Sequence, residues 1–162
     1  MERERWEREL AECYARVLRG LIAVGGQRER AEDALHEALL AALEPHTLAR
    51  IERADAWLYA VGVRKLRRAA WRRRLEVVLS PRLGSYPAPG LERVEAVEVL
   101  RYLTRRQREL VVARYYLDLS FKEIAGTFGI SVSAATSMVS QALARIRDKT
   151  RQREERQWTS AR

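Results

Sequence analysis

The chain has 162 residues and a mass of 18.8 kDa, with 31 Lys and Arg against 22 Asp and Glu, a formal charge of +9 and a pI near 10.4. That length excludes a large multidomain enzyme and leaves room for one ordinary domain or two small ones. The positive balance points to a polyanionic partner. No stretch approaches the roughly 20 uninterrupted apolar residues of a membrane span, so a soluble chain without membrane insertion is expected. Met1-Glu2-Arg3-Glu4-Arg5-Trp6 lacks the apolar stretch of a secretory signal, and Cys13 has no second cysteine to pair with. Both features fit a reducing cytoplasm. His36 and His46 are the only histidines, and neither a glycine-rich phosphate loop nor a metal-spaced ligand set occurs. The sequence therefore predicts no catalysis and no cofactor.

In chain order, Trp6, Leu10, Tyr14, Val17, Leu18 and Leu21 recur at helical spacing before Gly25-Gly26, which predicts a helix over residues 4–23. A second amphipathic stretch runs from Ala31 to Leu43, with Leu35, Leu39, Leu40 and Leu43 on one side and Pro45 closing it. The polar segment Glu44 to Arg53 leads into a third helix carrying Trp57, Leu58, Val61 and Leu66, with Asp55 as a first-turn carboxylate. This helix ends in Arg64-Lys65-Leu66-Arg67-Arg68-Ala69-Ala70-Trp71-Arg72-Arg73-Arg74, seven cations and no anion in eleven residues. A solvated face normally interleaves both signs, so a run of one sign favours phosphate binding. Trp57 belongs to the apolar face, whereas Trp71 lies among arginines, where stacking on an unpaired base and packing on the first helix are equally open.

Three of the four prolines fall between Pro81 and Pro89, and residues 75–93 read as a flexible linker. Beyond it, helical pattern returns from Leu91 to Leu103. Thr104 with Gln107, and Ser120 with Glu123, make two capping-box starts. A helix from Phe121 to Phe128 stops at Gly129, and Ser131 or Ser133 can cap a last helix whose apolar face is Ala135, Val139, Ala142 and Ile146. Two helices across a tight glycine turn describe a helix-turn-helix. The tail from Arg145 to Arg162 is basic and expected to fray at its end. The fold class is all-α: a helical bundle over 1–74, the linker over 75–93, and a helix-turn-helix domain with a basic tail over 94–162.

These residues resemble the sigma factors of bacterial RNA polymerase, of the two-domain extracytoplasmic-function kind. Ala31-Glu32-Asp33-Ala34-Leu35-His36-Glu37 is similar to the family's Ala-Glu-Asp-x-x-Gln-Glu helix. Ala56-Trp57-Leu58-Tyr59 followed by Arg72-Arg73-Arg74 is similar to its Ala-Trp-Leu-Tyr helix with a basic end. Leu103 to Glu109 and Tyr115 to Ala125 resemble its promoter-reading domain. The resemblance implies a non-catalytic subunit that binds core RNA polymerase and promoter DNA, and that an anti-sigma factor commonly holds inactive. It implies polymerase binding through Glu32, Asp33, His36 and Glu37. Minus-ten contacts would come from His46, Arg50, Arg53, Arg64, Lys65, Arg67, Arg68, Trp71, Arg72, Arg73 and Arg74. Minus-thirty-five contacts would come from Lys122, Ser133, Thr136, Ser137, Gln141 and Arg145.

The chain departs from the family pattern at His36, where Gln is usual, and at Arg64 and Arg68, where an Asn and an acid are usual. The run Ala134 to Gln141 is neutral where cations are common, and the linker carries only Glu76 and Glu92 as acids. Two other functions remain open at this point. One is a stand-alone helix-turn-helix regulator of duplex DNA. The other is a sigma-like module that binds polymerase or a partner with weakened minus-thirty-five readout.

Overall fold

The computed structural model describes residues 3–25, 27–44, 46–79 and 95–160, and for Arg3, 74–79, 95–97 and Ser160 the backbone alone. Every regular element among them is helical, and the chain divides into two units, Met1–Leu91 and Glu92–Arg162.

In the first unit α1 (Arg3–Gly25), α2 (Arg28–Ala42) and α3 (Ala54–Leu79) pack on one another. The buried face of α1 is Trp6, Cys13, Val17, Leu18, Leu21 and Val24, the three- and four-residue spacing of an amphipathic helix. Leu58, Tyr59, Val63 and Leu66 answer it from α3. Each such leucine removed from water stabilises the unit by roughly 1.5–3 kcal/mol. The two helices meet closely at Gly62, where an added Cβ would lie 2.8 Å from a Leu21 methyl. Trp57 packs edge-on against Trp6, with ring centroids 6.4 Å apart, so it is a packing residue as its spacing predicts.

The apolar face of α2 differs from the expectation. Its buried line is Ala31, Ala34, Leu35, Ala38 and Ala42, whereas Leu40 and Leu43 are 68% and 60% exposed. Small alanines let the helix backbones approach, and the line they define lies well away from Leu40 on the helix circumference. The leucine spacing is right for Leu35, which is buried, and wrong for Leu40 and Leu43, which face outward. Helix α3 also runs five residues into the stretch read as linker. The rest of that stretch, 80–93, lies outside the described residues, as does Pro45.

In the second unit α4 (Glu95–Leu100), α5 (Arg105–Tyr115) and α6 (Phe121–Phe128) pack around α7 (Val132–Ser160). Thr104 and Ser120 both form complete capping boxes, with Gln107 and Glu123 returning a hydrogen bond to the cap backbone. Gly129 takes the left-handed conformation, φ 63°, that ends α6 and turns the chain into α7. The Ser131 hydroxyl accepts from the Ala134 amide at 3.0 Å, so of the two candidate serines it is Ser131 that caps α7. Leu103, Val111 and Ala142, with Leu100 and Ile146 beside them, form one cluster of the core, and Ala135 and Val139 are buried as the spacing predicts.

The tail differs from the expectation in staying helical to Ser160. Its Arg, Gln and Glu residues are good helix formers, and Arg153 reaches Glu98 of α4 at 3.1 Å. Trp158 near its end is exposed.

Candidate nucleic-acid interface

The first unit gathers its cations on the C-terminal half of α3. Arg64, Arg68, Arg72 and the Trp71 ring are exposed, and Arg67 and Arg73 are half-buried. With Trp71 65% exposed, its ring is not part of the buried core of the first unit, which disfavours the packing alternative. The side chain of Arg74 lies outside the described residues. Lys65 is engaged locally, its ammonium 2.8 Å from the Glu37 carboxylate on α2. Glu32 in turn pairs with Arg28 at 3.2 Å, while Asp33 and His36 are exposed on the same helix. The acidic stretch of α2 and the basic stretch of α3 are thus adjacent at Glu37 and Lys65, a contact across 28 residues that periodicity could not reveal.

Between these helices, residues 46–53 have a defined course. His46 takes the left-handed conformation, φ 65°, and the Thr47 amide donates to the Glu44 carbonyl, after which Leu48–Arg50 form one turn of 3-10 helix. Ile51 is buried and Asp55 anchors the return. The Asp55 carboxylate, only 6% exposed, accepts from Arg16 at 2.6 Å and from Arg53 at 2.9 Å and 3.2 Å. Arg53 is therefore tied down at the base of the loop, while His46 and Arg50 stand exposed on it. Asp55 was legible as a first-turn carboxylate; its partner Arg16, 39 residues earlier, was not.

Cys13 lies near this network. Burial pushes its thiol up from the ordinary 9.0 to about 11, the Asp55 carboxylate adding to the effect and the Arg16 guanidinium opposing it. A thiol so placed stays protonated and unreactive at neutral pH.

In the second unit, α6, the Gly129 turn and α7 make the helix-turn-helix, and the α5 side chains hold it in shape. Glu109 is fully buried and takes Arg106 at 3.3 Å and Arg105 at 3.6 Å. Arg106 also lies over the Phe128 ring at 5.1 Å, which ties α5 to the end of α6. Arg114 stacks on Phe121 at 5.3 Å and donates to the Leu119 carbonyl. Arg108 donates to the carbonyls of Leu100 and Leu103, and burial, together with Arg105 and Arg101 nearby, lowers its pKa. Arginines of this unit thus serve packing as much as charge, and composition alone could not separate the two uses.

The exposed face of α7 carries Ser133, Thr136, Ser137, Ser140 and Gln141, then Arg145, with Lys122 exposed on α6. The Thr136 hydroxyl donates to the Val132 carbonyl at 2.9 Å, so it presents its methyl group and oxygen lone pairs outward. A face of small neutral groups can approach base edges closely and offers few contacts to phosphate.

Among the described residues no group of three or more His, Cys, Asp and Glu could hold a metal ion, and no helix is long and apolar enough to cross a membrane.

These features define a two-unit helical protein whose second unit is built around a helix-turn-helix. Residues 93–146 match the family described as Sigma-70, region 4. The chain is 33% identical over 102 residues to the RNA polymerase sigma-E factor of Streptomyces coelicolor, covering 59% of this chain and 57% of that protein. It is 31% identical over 107 residues to the sigma-E factor of Streptomyces avermitilis, covering 62% and 59%. In each case the chain spans less than two thirds of the relative's length.

Two solved structures share the fold. The sigma factor RpoE in complex with the anti-sigma factor NepR, from Bartonella quintana, superposes with a TM-score of 0.74 at 20% identity, over 90% of this chain and 96% of that one. CnrH in complex with the cytosolic domain of CnrY gives 0.65 at 19% identity, over 92% and 89%. The shared helical fold and the region 4 match over residues 93–146 are what these likenesses show.

Proposed function

We propose that the chain is a sigma factor: a non-catalytic subunit that directs core RNA polymerase to promoters and takes part in opening them in the bacterial cytoplasm. The observation that carries this reading is the pairing, in one chain, of a region 4 helix-turn-helix with a helical unit whose α3 ends in cations of one sign. In this reading residues 1–74 form a region 2-like domain and residues 94–162 a region 4-like domain.

Glu32, Asp33, His36 and Glu37 on α2 dock on polymerase. His46 and Arg50 on the anchored loop, with Arg64, Lys65, Arg67, Arg68, Trp71, Arg72, Arg73 and Arg74 on α3, engage the minus-ten element. Arg53 supports that loop through Asp55. Exposed Trp71 offers a flat face to an unpaired base, and such stacking contributes about 1–3 kcal/mol per base. Lys122, Ser133, Thr136, Ser137, Gln141 and Arg145 meet the minus-thirty-five element. The two structural relatives are each complexed with a second protein, which supports an anti-sigma partner for this chain as well.

Run-off transcription with purified core polymerase and a pool of promoter fragments tests the reading. Specific starts that depend on the added chain are expected. Polymerase binding without such starts would favour the sigma-like interaction module, for which the neutral face of α7 is the specific motive. Loss of both would leave a separate helix-turn-helix regulator.

A further inference from the structure

We infer that Arg147, together with Arg145, forms a two-sided clamp on α7 that grips the sugar-phosphate backbones on opposite edges of a DNA major groove. The inference rests on the reading of α7 as the helix that enters the groove. At about 100° per residue around the helix axis, and with Ser137 taken as the centre of the exposed face, Gln141 lies roughly 40° to one side. Ser133 and Ser140 lie roughly 40° and 60° to the other. Arg145 and Arg147 stand about 80° to either side of the same line, about 12 and 15 Å along the axis from Ser137. Both are exposed, and neither has an ion-pair partner among the described residues.

Their neighbours differ. Arg151 pairs with Asp148 at 3.8 Å, Lys149 bonds Gln152 at 3.3 Å, and Arg153 is fixed to Glu98. The two cations flanking the reading face are thus left available while those immediately beyond are engaged.

A helix lying in the major groove, about 12 Å wide, has a phosphate ridge on each side, so cations displaced symmetrically from its reading face meet the two strands. Phosphate contacts set register and affinity, and base contacts set sequence. The neutral groups at Ser133, Ser137 and Gln141 supply the second kind; Arg145 and Arg147 supply the first. Arg147 lies just past the stretch that matches region 4, 93–146, and depends on α7 continuing unbroken beyond it.

The test uses holoenzyme reconstituted from core polymerase and the full chain, with Arg147→Ala, Arg145→Ala and Arg156→Ala variants, on a promoter duplex selected by run-off transcription. Binding is measured by fluorescence anisotropy between 50 and 200 mM salt. Each neutralised phosphate adds about 0.9 to the slope of log affinity against log salt. Arg147→Ala and Arg145→Ala should therefore each lose about three- to fourfold less affinity than the unmodified chain across that range. The loss at 50 mM should be the same on duplexes altered in the minus-thirty-five sequence. Arg156→Ala, about 28 Å along the axis from Ser137, should leave the slope unchanged.

An unchanged slope for Arg147→Ala would overturn the clamp while leaving the sigma reading intact. An equal effect of Arg156→Ala would overturn it too, since charge anywhere on the tail would then suffice. Holoenzyme that binds no better than core polymerase alone would overturn both readings.

Discussion

Helices α3 and α7 are the two candidate DNA-facing elements, and they distribute charge in opposite ways. The C-terminal half of α3 carries cations along its length with an exposed tryptophan among them. The outer face of α7 is neutral, and its nearest cations stand at the margins. Dense charge of one sign draws in any phosphate backbone and makes binding steeply salt-dependent. A neutral face of hydroxyls and an amide gains little from phosphate but can discriminate base edges. The difference teaches that the two units would contribute different things to promoter recognition: the first, affinity and the capture of unpaired strand; the second, register and sequence.

The largest expected effect comes from breaking the charged side of this contrast. Reversing Arg72 and Arg73 together should reduce promoter binding by the holoenzyme on the order of a hundredfold near 0.1 M salt and lower the salt slope by about two, as loss of two phosphate contacts requires. Filter binding across a salt series checks it, and a slope that does not move would place these arginines away from DNA. Next comes the support of the neutral side. Glu109→Ala removes a buried carboxylate held by two arginines. Because both arginines can still reach water, the cost should fall below that of a fully buried pair, at about 2–3 kcal/mol. Urea unfolding followed by far-ultraviolet circular dichroism would measure it.

A smaller effect sharpens the base-reading claim. Gln141→Ala should cost about 1–3 kcal/mol on the selected promoter and nearly nothing on one altered at a single minus-thirty-five position, because a bidentate base contact discriminates by that amount. Equal losses on both templates would assign Gln141 to the backbone instead. The smallest effect lies in the first-unit core. The folded Cys13 thiol titrates near 11 against an ordinary 9.0. Since the raised pKa belongs to the folded state, its contribution to stability is fully present below pH 9 and fades as pH rises from 9 to 11. A Cys13→Ser variant should show a flatter decline of stability over that window. Thiol labelling at pH 8 should be slow in the folded chain and fast in urea.

What could be read from the sequence follows the range of the interactions involved. Thr104 with Gln107, Ser120 with Glu123, and Gly129 are local signals, complete within a few residues, and the caps and the turn of the second unit accordingly form as its sequence predicts. The cation run of α3 was legible for the same reason. The face of α2 was legible only at Leu35, because the rest of its buried line is alanine, which carries a weak apolar signal, while the conspicuous Leu40 and Leu43 face outward. The Arg16–Asp55–Arg53 network and the Lys65–Glu37 pair join residues far apart in sequence, where no periodicity operates. In the second unit Arg153 on α7 meets Glu98, 55 residues earlier, a contact that composition alone could not show.

The most direct test is initiation by reconstituted holoenzyme over a promoter library randomised at both upstream elements, sequenced from the transcripts at two salt concentrations. The account predicts starts that require this chain and share two spaced elements, with selection at the minus-thirty-five element carried by positions that respond to Gln141→Ala. Transcripts whose starts are independent of the chain, or that share no upstream element, would contradict it.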